Sequence, residues 1–253
     1  MQLKRQIPLL LLFILGLFSN NLFGQQKEIA YLNQYFYPIE ESDSASYFYK
    51  SITSEDKNGN AIERVFTTSD QLVRITRSSY NAEGRFNQEE IENYNLSGEL
   101  ISQKTKNADN GLFLAKYYEN GKYIGEALYT VDRTFEITKP GSSDVVTTEF
   151  NEFEPHPFTD KLLWQKHLVK NLRYPQEARS KQAEGTVIVA LHVTEQGKLE
   201  KIEIVNPVGL EKSLIKEVIR VSESYKGQFL PARDLNGNPI KAWLTIPVRF
   251  KLS

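Results

Sequence analysis

The alternating pattern near the end of the chain constrains the fold most. Every second side chain from position 242 to position 252 is apolar. The positions between them hold Trp243, Thr245, Pro247, Arg249 and Lys251. A period of two is typical of a β-strand that turns one face to a core. Pro247 lacks an N–H to donate to a neighbouring strand. The pattern therefore predicts an edge strand with one open side.

The residues before this strand predict a small α+β unit. Leucines at 162, 163, 168 and 172 indicate a first helix, with Thr159 as its N-cap. A short second helix is expected over 176–183. Alternating strands at 187–193 and 199–205 flank a turn at Gly197, and an amphipathic helix follows over 210–221. The expected result is a three-stranded antiparallel sheet with helices on one face.

An earlier part of the chain, residues 47–131, carries a short repeat of turn residues. Successive turns are marked by Asp70, Gly84, Gly98, Gly111 and Gly121. Strand-like segments lie between these turns, and several alternate apolar and polar side chains. We therefore expect an antiparallel β-meander of hairpin repeats over residues 26–135. Its Tyr-x-x-x-Gly units resemble MORN-type β-hairpin repeats.

Composition and charge change between the two regions. Residues 136–158 include Pro140-Gly141 and Pro155-His156-Pro157, have no sustained period, and are interpreted as a linker. Residues 26–135 hold 12 Lys/Arg and 17 Asp/Glu, and the linker holds 1 and 5, whereas residues 159–253 hold 16 and 10. This asymmetry favours association with an acidic partner, and solvated surface is the alternative explanation.

The N-terminus has the pattern of a secretion signal. Lys4 and Arg5 precede a 12-residue apolar run, which Asn20 and Asn21 then interrupt. Gly24 offers a small residue for cleavage. A membrane-spanning helix needs about 20 apolar residues. We therefore expect residues 1–24 to be a signal peptide and the protein to be periplasmic. The alternative is an uncleaved segment that anchors the protein in the inner membrane.

The chemistry-bearing residues do not form a catalytic pattern. The chain has no cysteine, and its three histidines lack the spacing of a metal site. No phosphate loop, nucleophile elbow or dinucleotide fingerprint is present. We therefore expect no enzyme activity, no metal and no cofactor. Without a dense basic cluster, nucleic acid is not an expected partner.

The C-terminal motifs resemble a known family. In order along the chain they are Tyr174-Pro175-x-x-Ala178, Glu184-Gly185-Thr186-Val187, Gly197, Leu230-Pro231-Ala232, Asn236-Gly237-Asn238-Pro239 and Ile246-Pro247-Val248-Arg249-Phe250. This order resembles the C-terminal domain of TonB over residues 159–253. Members of that family are periplasmic adaptors linked to transmembrane transport, and they bind a short peptide of an outer-membrane receptor by strand addition to a sheet edge.

The resemblance implies a partner-binding site on the final strand. Its residues would be Ala242, Trp243, Leu244, Thr245, Ile246, Val248, Arg249 and Phe250, with a supporting contact from Asn171, Arg173 and Tyr174. The implied partner is an outer-membrane receptor or another envelope protein. The alternative is an envelope structural or assembly protein that uses the domain to form a homodimer. The chain lacks the Pro-rich spacer of TonB, which puts coupling to the motor proteins ExbB and ExbD in doubt.

Overall fold

The computed structural model describes residues 27–159, 161–234 and 236–252. The expected signal peptide, residues 1–24, lies outside them. The described residues are mostly antiparallel sheet with three α-helices, an arrangement compatible with the expected α+β class.

Ten strands form one sheet in chain order, each antiparallel to the next. They are β1 (Glu28–Leu32), β2 (Tyr49–Glu55), β3 (Ala61–Thr67), β4 (Leu72–Asn81), β5 (Phe86–Tyr94), β6 (Leu100–Asn107), β7 (Phe113–Glu119), β8 (Lys122–Tyr129), β9 (Phe135–Thr138) and β10 (Val145–Thr148). A 3₁₀ helix, Glu41–Ser46, lies in the long connection between β1 and β2.

The turns of this meander follow the predicted spacing with one exception. Asp70, Gly98, Gly111 and Gly121 all have a left-handed backbone at hairpin turns. In the β4–β5 turn this conformation is taken by Arg85, with a φ of 57°, and not by Gly84. Asn81 Oδ1 accepts a hydrogen bond from the Gly84 N–H. The spacing therefore located the turn but not the residue that bears its left-handed conformation.

Two strands of this sheet lie partly or wholly in the segment predicted to be a linker, residues 136–158. Thr138 ends β9, and β10 follows at Val145–Thr148, where it pairs with β9 as the last strand of the sheet. The chain then folds back over one face. Phe153 stacks on Tyr117 with ring centroids 4.8 Å apart, and the Tyr117 hydroxyl contacts Asn151 and Glu154. The irregular sequence of residues 149–158 therefore belongs to a segment that folds back on the sheet and is held there by these contacts.

The C-terminal region contains the predicted helices and strands. The helices are α1 (Lys161–Asn171), α2 (Gln176–Ser180) and α3 (Lys212–Glu223). The main strands are β12 (Gly185–Val193), β13 (Leu199–Ile204) and β17 (Ala242–Phe250). Short two-residue strands are β11 (Phe158–Thr159), β14 (Phe229–Leu230), β15 (Ala232–Arg233) and β16 (Pro239–Ile240). They pair as β11 with β14 and β15 with β16.

Thr159 was predicted to cap the first helix, and this was wrong. It lies in β11, and its hydroxyl is within hydrogen-bonding distance of the Tyr225 hydroxyl, at 2.9 Å, and of the Gln228 carbonyl, at 3.1 Å. A threonine hydroxyl can bond to the helix backbone or to another nearby group. In Thr159, among the described residues, it bonds to Tyr225 and Gln228, which are distant in the sequence, and not to the backbone of α1.

A single core lies between the three-stranded sheet and the helices. Its fully buried side chains include Leu191, Leu214, Val187, Val189, Val193 and Val218. The strand side chains come from odd positions of β12, and those of α3 come from one face of the helix. This is the packing that the alternating and amphipathic patterns predict.

Candidate functional site

The final strand has one unpaired edge. The order of the three-stranded sheet is β13-β12-β17, so β12 is central. Over its whole length β17 pairs antiparallel with β12, from Ala242 opposite Val193 to Phe250 opposite Gly185. Among the described residues, no strand pairs with its other side.

The backbone directions on β17 follow from the hydrogen bonds of Ile188. Its N–H donates to Asn206 Oδ1 at 2.7 Å, and its carbonyl accepts from the Val205 N–H at 2.8 Å. Both groups therefore face away from β17, although Ile188 is the register partner of Pro247. In antiparallel pairs the direction alternates with each residue. Thus the N–H groups of Trp243, Thr245 and Arg249 face the open side.

Pro247 occupies the one outward position of this series that has no N–H. It lies between Thr245 and Arg249, so the row of donors is interrupted while the row of carbonyls continues. Proline on the unpaired side also protects an edge strand against uncontrolled pairing. Its outward position explains how β17 pairs fully with β12 despite the proline.

A groove of about 840 Å³ runs along this open edge. On the C-terminal side it is lined by four residues of β17, Leu244, Thr245, Ile246 and Pro247, and by α1 side chains that include Trp164, Gln165 and Leu168. Trp164 is 5% exposed, and its indole N–H has no hydrogen-bond acceptor among the described residues. The groove therefore combines an apolar floor with unpaired backbone groups.

The opposite wall comes from the ten-stranded sheet. It consists of the β8–β9 turn, with Asp132, Arg133 and Thr134, and of the returning segment with Glu149, Phe150 and His156. No pattern in the sequence predicts that these residues line a site. More than 100 positions separate the turn from β17, so no local pattern connects the two.

The outer face of the sheet, opposite the helices, is covered by the β1–β2 connection. The Tyr35 ring lies edge-on to the Trp243 ring at 5.7 Å, and the Tyr35 hydroxyl donates to Glu203 at 2.7 Å. Asn33 donates to the Val205 carbonyl at 2.8 Å. Burial, followed by the hydrogen bond to Glu203, raises the pKa of Tyr35 above its ordinary value. The side chain of Trp243 is thus engaged within the chain.

The supporting residues predicted before α2 lie at the far end of β17. Tyr174 packs edge-on against Phe250 at 5.5 Å and donates its hydroxyl proton to the Ala183 carbonyl. Asn171 donates through Nδ2 to the His167 carbonyl at 2.9 Å. The Arg173 N–H donates to Glu217 at 2.6 Å. These groups are held by internal contacts, and none of the three lines the groove.

Other predicted residues of β17 divide by face. Val248 and Phe250 are 2% and 3% exposed and belong to the core, so their side chains anchor the strand. Leu244 and Ile246 pack against the same core and also line the groove. Thr245 and Arg249 are exposed, whereas Ala242 begins the strand with partial exposure.

The described residues contain no group of three or more His, Asp or Glu side chains arranged to hold a metal ion. Within the same part of the chain, no helix is both long and apolar enough to cross a membrane.

Comparison with known proteins gives one significant match, because neither the curated proteins nor the solved structures yielded any. The match begins near the end of α1 and covers α2, α3 and the whole three-stranded sheet with its open edge. It confirms the resemblance stated from the motifs: residues 170–252 match the family described as Gram-negative bacterial TonB protein C-terminal.

Proposed function

We propose that the protein is a periplasmic, TonB-like adaptor that binds an extended segment of an outer-membrane transporter or another envelope protein. Binding occurs by addition of that segment as a strand to the open edge of β17. The observation that carries this proposal is the outward row of unpaired backbone groups on β17, which lies along a groove with an apolar floor. The family match over residues 170–252 supports an envelope role linked to transport.

The edge offers enough hydrogen bonds for useful affinity. Trp243, Thr245 and Arg249 contribute outward N–H groups, and each of these residues and Pro247 contributes an outward carbonyl. A backbone hydrogen bond is worth about 0.5–1.5 kcal/mol net. Four such bonds and the burial of one or two apolar side chains reach about 8 kcal/mol, which corresponds to micromolar affinity.

The residues predicted for binding take different parts in this scheme. Thr245 and Arg249 present backbone groups to the partner strand, and Leu244 and Ile246 border the groove floor. Val248, Phe250 and Tyr174 keep the strand in place from the core side. Asn171 and Arg173 position the chain between α1 and α2, near the Phe250 end of the strand.

The remainder of the chain argues for binding without motor coupling. A ten-stranded sheet occupies the region where TonB has its Pro-rich spacer, and the described residues include no extended Pro-rich segment. We propose that residues 1–24 direct export and are removed. The adaptor would then act as an exported partner of an envelope protein.

The test replaces the outward donor at position 245. Thr245→Pro removes an N–H that does not pair with β12, so the domain remains folded, while partner capture falls at least tenfold. Leu244→Pro is the matched control, because the Leu244 N–H faces β12 and its loss unfolds the domain. Capture is measured by photo-crosslinking from position 249 in an envelope extract.

Two outcomes contradict the proposal. Unchanged capture by a folded Thr245→Pro protein would remove the open edge as the binding site. Crosslinks that join only two copies of the chain, with loss of self-association in the variant, would favour the structural or assembly role through a homodimer.

A further inference from the structure

The groove beside β17 has one feature that the final strand does not explain. Its ionisable lining side chains among the described residues all come from the N-terminal region, residues 27–158: Asp132, Arg133, Glu149 and His156. Those from the C-terminal region, residue 159 onward, are Thr159, Leu162, Trp164, Gln165, Leu168, Leu244, Thr245, Ile246 and Pro247, and none carries a charge. Of these, only the β17 residues lie within the match.

The charged wall is free to meet a ligand. Asp132, Arg133 and Glu149 are exposed, and none forms an ion pair within the part of the chain that is described. The wall holds two carboxylates and one guanidinium. They belong to the N-terminal region, where residues 26–158 carry 13 Lys/Arg and 22 Asp/Glu, which adds a negative field over the groove.

Contacts at two places fix the wall: one joins the N-terminal region to the three-stranded sheet, and the other holds the returning segment on the ten-stranded sheet. The β1–β2 connection binds the outer face of the three-stranded sheet through Asn33 and Tyr35. The returning segment is fixed by Phe153 on Tyr117, and Lys104 pairs with Glu154 at 3.1 Å. Strand alternation puts the β1–β2 connection and the β8–β9 turn at opposite ends of the ten-stranded sheet. The wall is therefore preorganised before a partner binds.

We propose that the groove is a composite site, in which the N-terminal region selects the partner segment by charge. The occupant is an extended, mainly apolar segment that pairs with β17 and directs a Lys or Arg side chain to Asp132 and Glu149. This inference rests on the proposed strand addition and names the class of segment that is bound. The ten-stranded sheet then acts as a specificity element, and its role exceeds that of a spacer.

The apolar part of this specification comes from the floor. Trp164, Leu168, Leu244 and Ile246 accept side chains on the inner side of an added strand. Alternate residues of that strand point away from the floor. Where these residues of the added strand point toward the wall, the carboxylates of Asp132 and Glu149 favour Lys or Arg side chains.

The experiment uses the full chain and a phage-displayed library of random ten-residue peptides. Peptides selected on the wild type are synthesised with a fluorophore, and their dissociation constants are measured by anisotropy. We expect enrichment of Lys and Arg over Asp and Glu at fixed positions of an apolar, alternating sequence. The double variant Asp132→Asn/Glu149→Gln should bind these peptides about 3- to 30-fold more weakly, the range expected for two exposed charge contacts. Added salt should reduce this difference.

Matched variants separate the wall from general charge effects. Arg133→Gln removes the cation of the wall and should tighten binding of these cationic peptides. Glu83→Gln and Arg85→Gln alter the β4–β5 turn, which lies at the same end of the sheet about four strands away, roughly 19 Å at the usual strand spacing. Both controls should bind as the wild type does.

The two proposals fail in different ways. Peptides whose binding depends on the Thr245 N–H but not on Asp132 or Glu149 would overturn the composite wall and leave strand addition intact. Enrichment of acidic residues, or tighter binding by the double variant, would also overturn it. Selected peptides that bind Thr245→Pro as well as the wild type would overturn both.

Discussion

At the residue scale, Gly125 shows how closely the returning segment packs on the ten-stranded sheet. Its φ is 148°, a backbone conformation that residues with a side chain rarely adopt. A Cβ built there would lie 2.4 Å from Cζ of Phe153 and 2.8 Å from the Thr138 carbonyl oxygen. Only glycine leaves room for the ring that joins this segment to the sheet.

We therefore expect Gly125→Ala to lower the free energy of unfolding by about 3 kcal/mol, from backbone strain and overpacking together. Gly121→Ala is the control, because Gly121 also has a positive φ of 73° but nothing within 4 Å of the added atom. It should cost about 1 kcal/mol. Denaturant unfolding measures both. The packing explanation would be refuted if the two variants lost equal free energy of unfolding. It would also be refuted if Gly125→Ala cost as much in a Phe153→Ala background as in the wild type.

At the scale of elements, Glu217 connects two helices. It lies in α3, is 9% exposed, and accepts hydrogen bonds from the Arg220 side chain and from the Arg173 N–H after α1. Arg220 also donates to the Asn171 carbonyl at 2.7 Å. Burial alone would raise the pKa of Glu217, but the hydrogen bonds from Arg220 and Arg173 outweigh it and lower the pKa.

This lowered pKa gives a pH dependence with a defined sign. A carboxylate with a lowered folded pKa stabilises the fold fully above its unfolded value, here near 4.5. The stabilisation disappears as the pH falls through the folded value. We expect Glu217→Gln to cost about 1.5–3 kcal/mol at pH 7, the range for hydrogen bonds to a charged group. The difference from the wild type should shrink below about pH 4.5.

Urea unfolding from pH 7 down to about pH 2.5, which spans the unfolded pKa of Glu217 and its lowered folded pKa, tests this connection. Glu223→Gln provides the comparison, because Glu223 is exposed near the end of the same helix and has no ion pair within the described residues. Its effect should stay within about 0.5 kcal/mol at every pH. A pH-independent loss for Glu217→Gln would show that its charge does not matter.

Elements with a local signal were predictable from the sequence. The period of two in β17 predicted both its faces and its approximate bounds, because the side chains on one side of the strand pack toward the core. Pro247 predicted the open edge for the correct physical reason. By contrast, α1 has apolar side chains on several sides, with Val169 88% exposed, so its pattern did not reveal which face borders the groove.

The charged wall of the groove could not be predicted in this way. Asp132 and Arg133 have the ordinary composition of a hairpin turn, and their place in the groove that Thr245 also lines depends on how the chain returns after β10. The same holds for Tyr35, whose contact with Trp243 joins residues at the two ends of the chain. Such contacts between distant residues arise from tertiary packing, and no periodic pattern in the sequence marks them.

At the scale of the whole molecule, few contacts join the N-terminal and C-terminal regions. On the outer face of the three-stranded sheet they involve Asn33, Gln34 and Tyr35, which meet Val205, Glu203 and Trp243. The Tyr35 hydroxyl and Lys201 both stabilise the Glu203 carboxylate. Although burial raises the pKa of Glu203, these hydrogen bonds lower it overall. This small interface holds the groove wall near β17.

Tyr35→Ala should therefore weaken the contact between the two regions without unfolding either of them. Loss of the ring uncovers Trp243, so tryptophan emission shifts to the red and quenching by acrylamide increases, while Trp164 stays 5% exposed in its core. The radius of gyration from small-angle X-ray scattering should rise, and far-ultraviolet circular dichroism should not change. Tyr80→Ala is the control, since Tyr80 is 62% exposed on the ten-stranded sheet. Tyr35→Ala could instead match the wild type in quenching and in radius of gyration. That result would show that the returning segment alone holds the two regions together, and that Tyr35 does not position the groove wall.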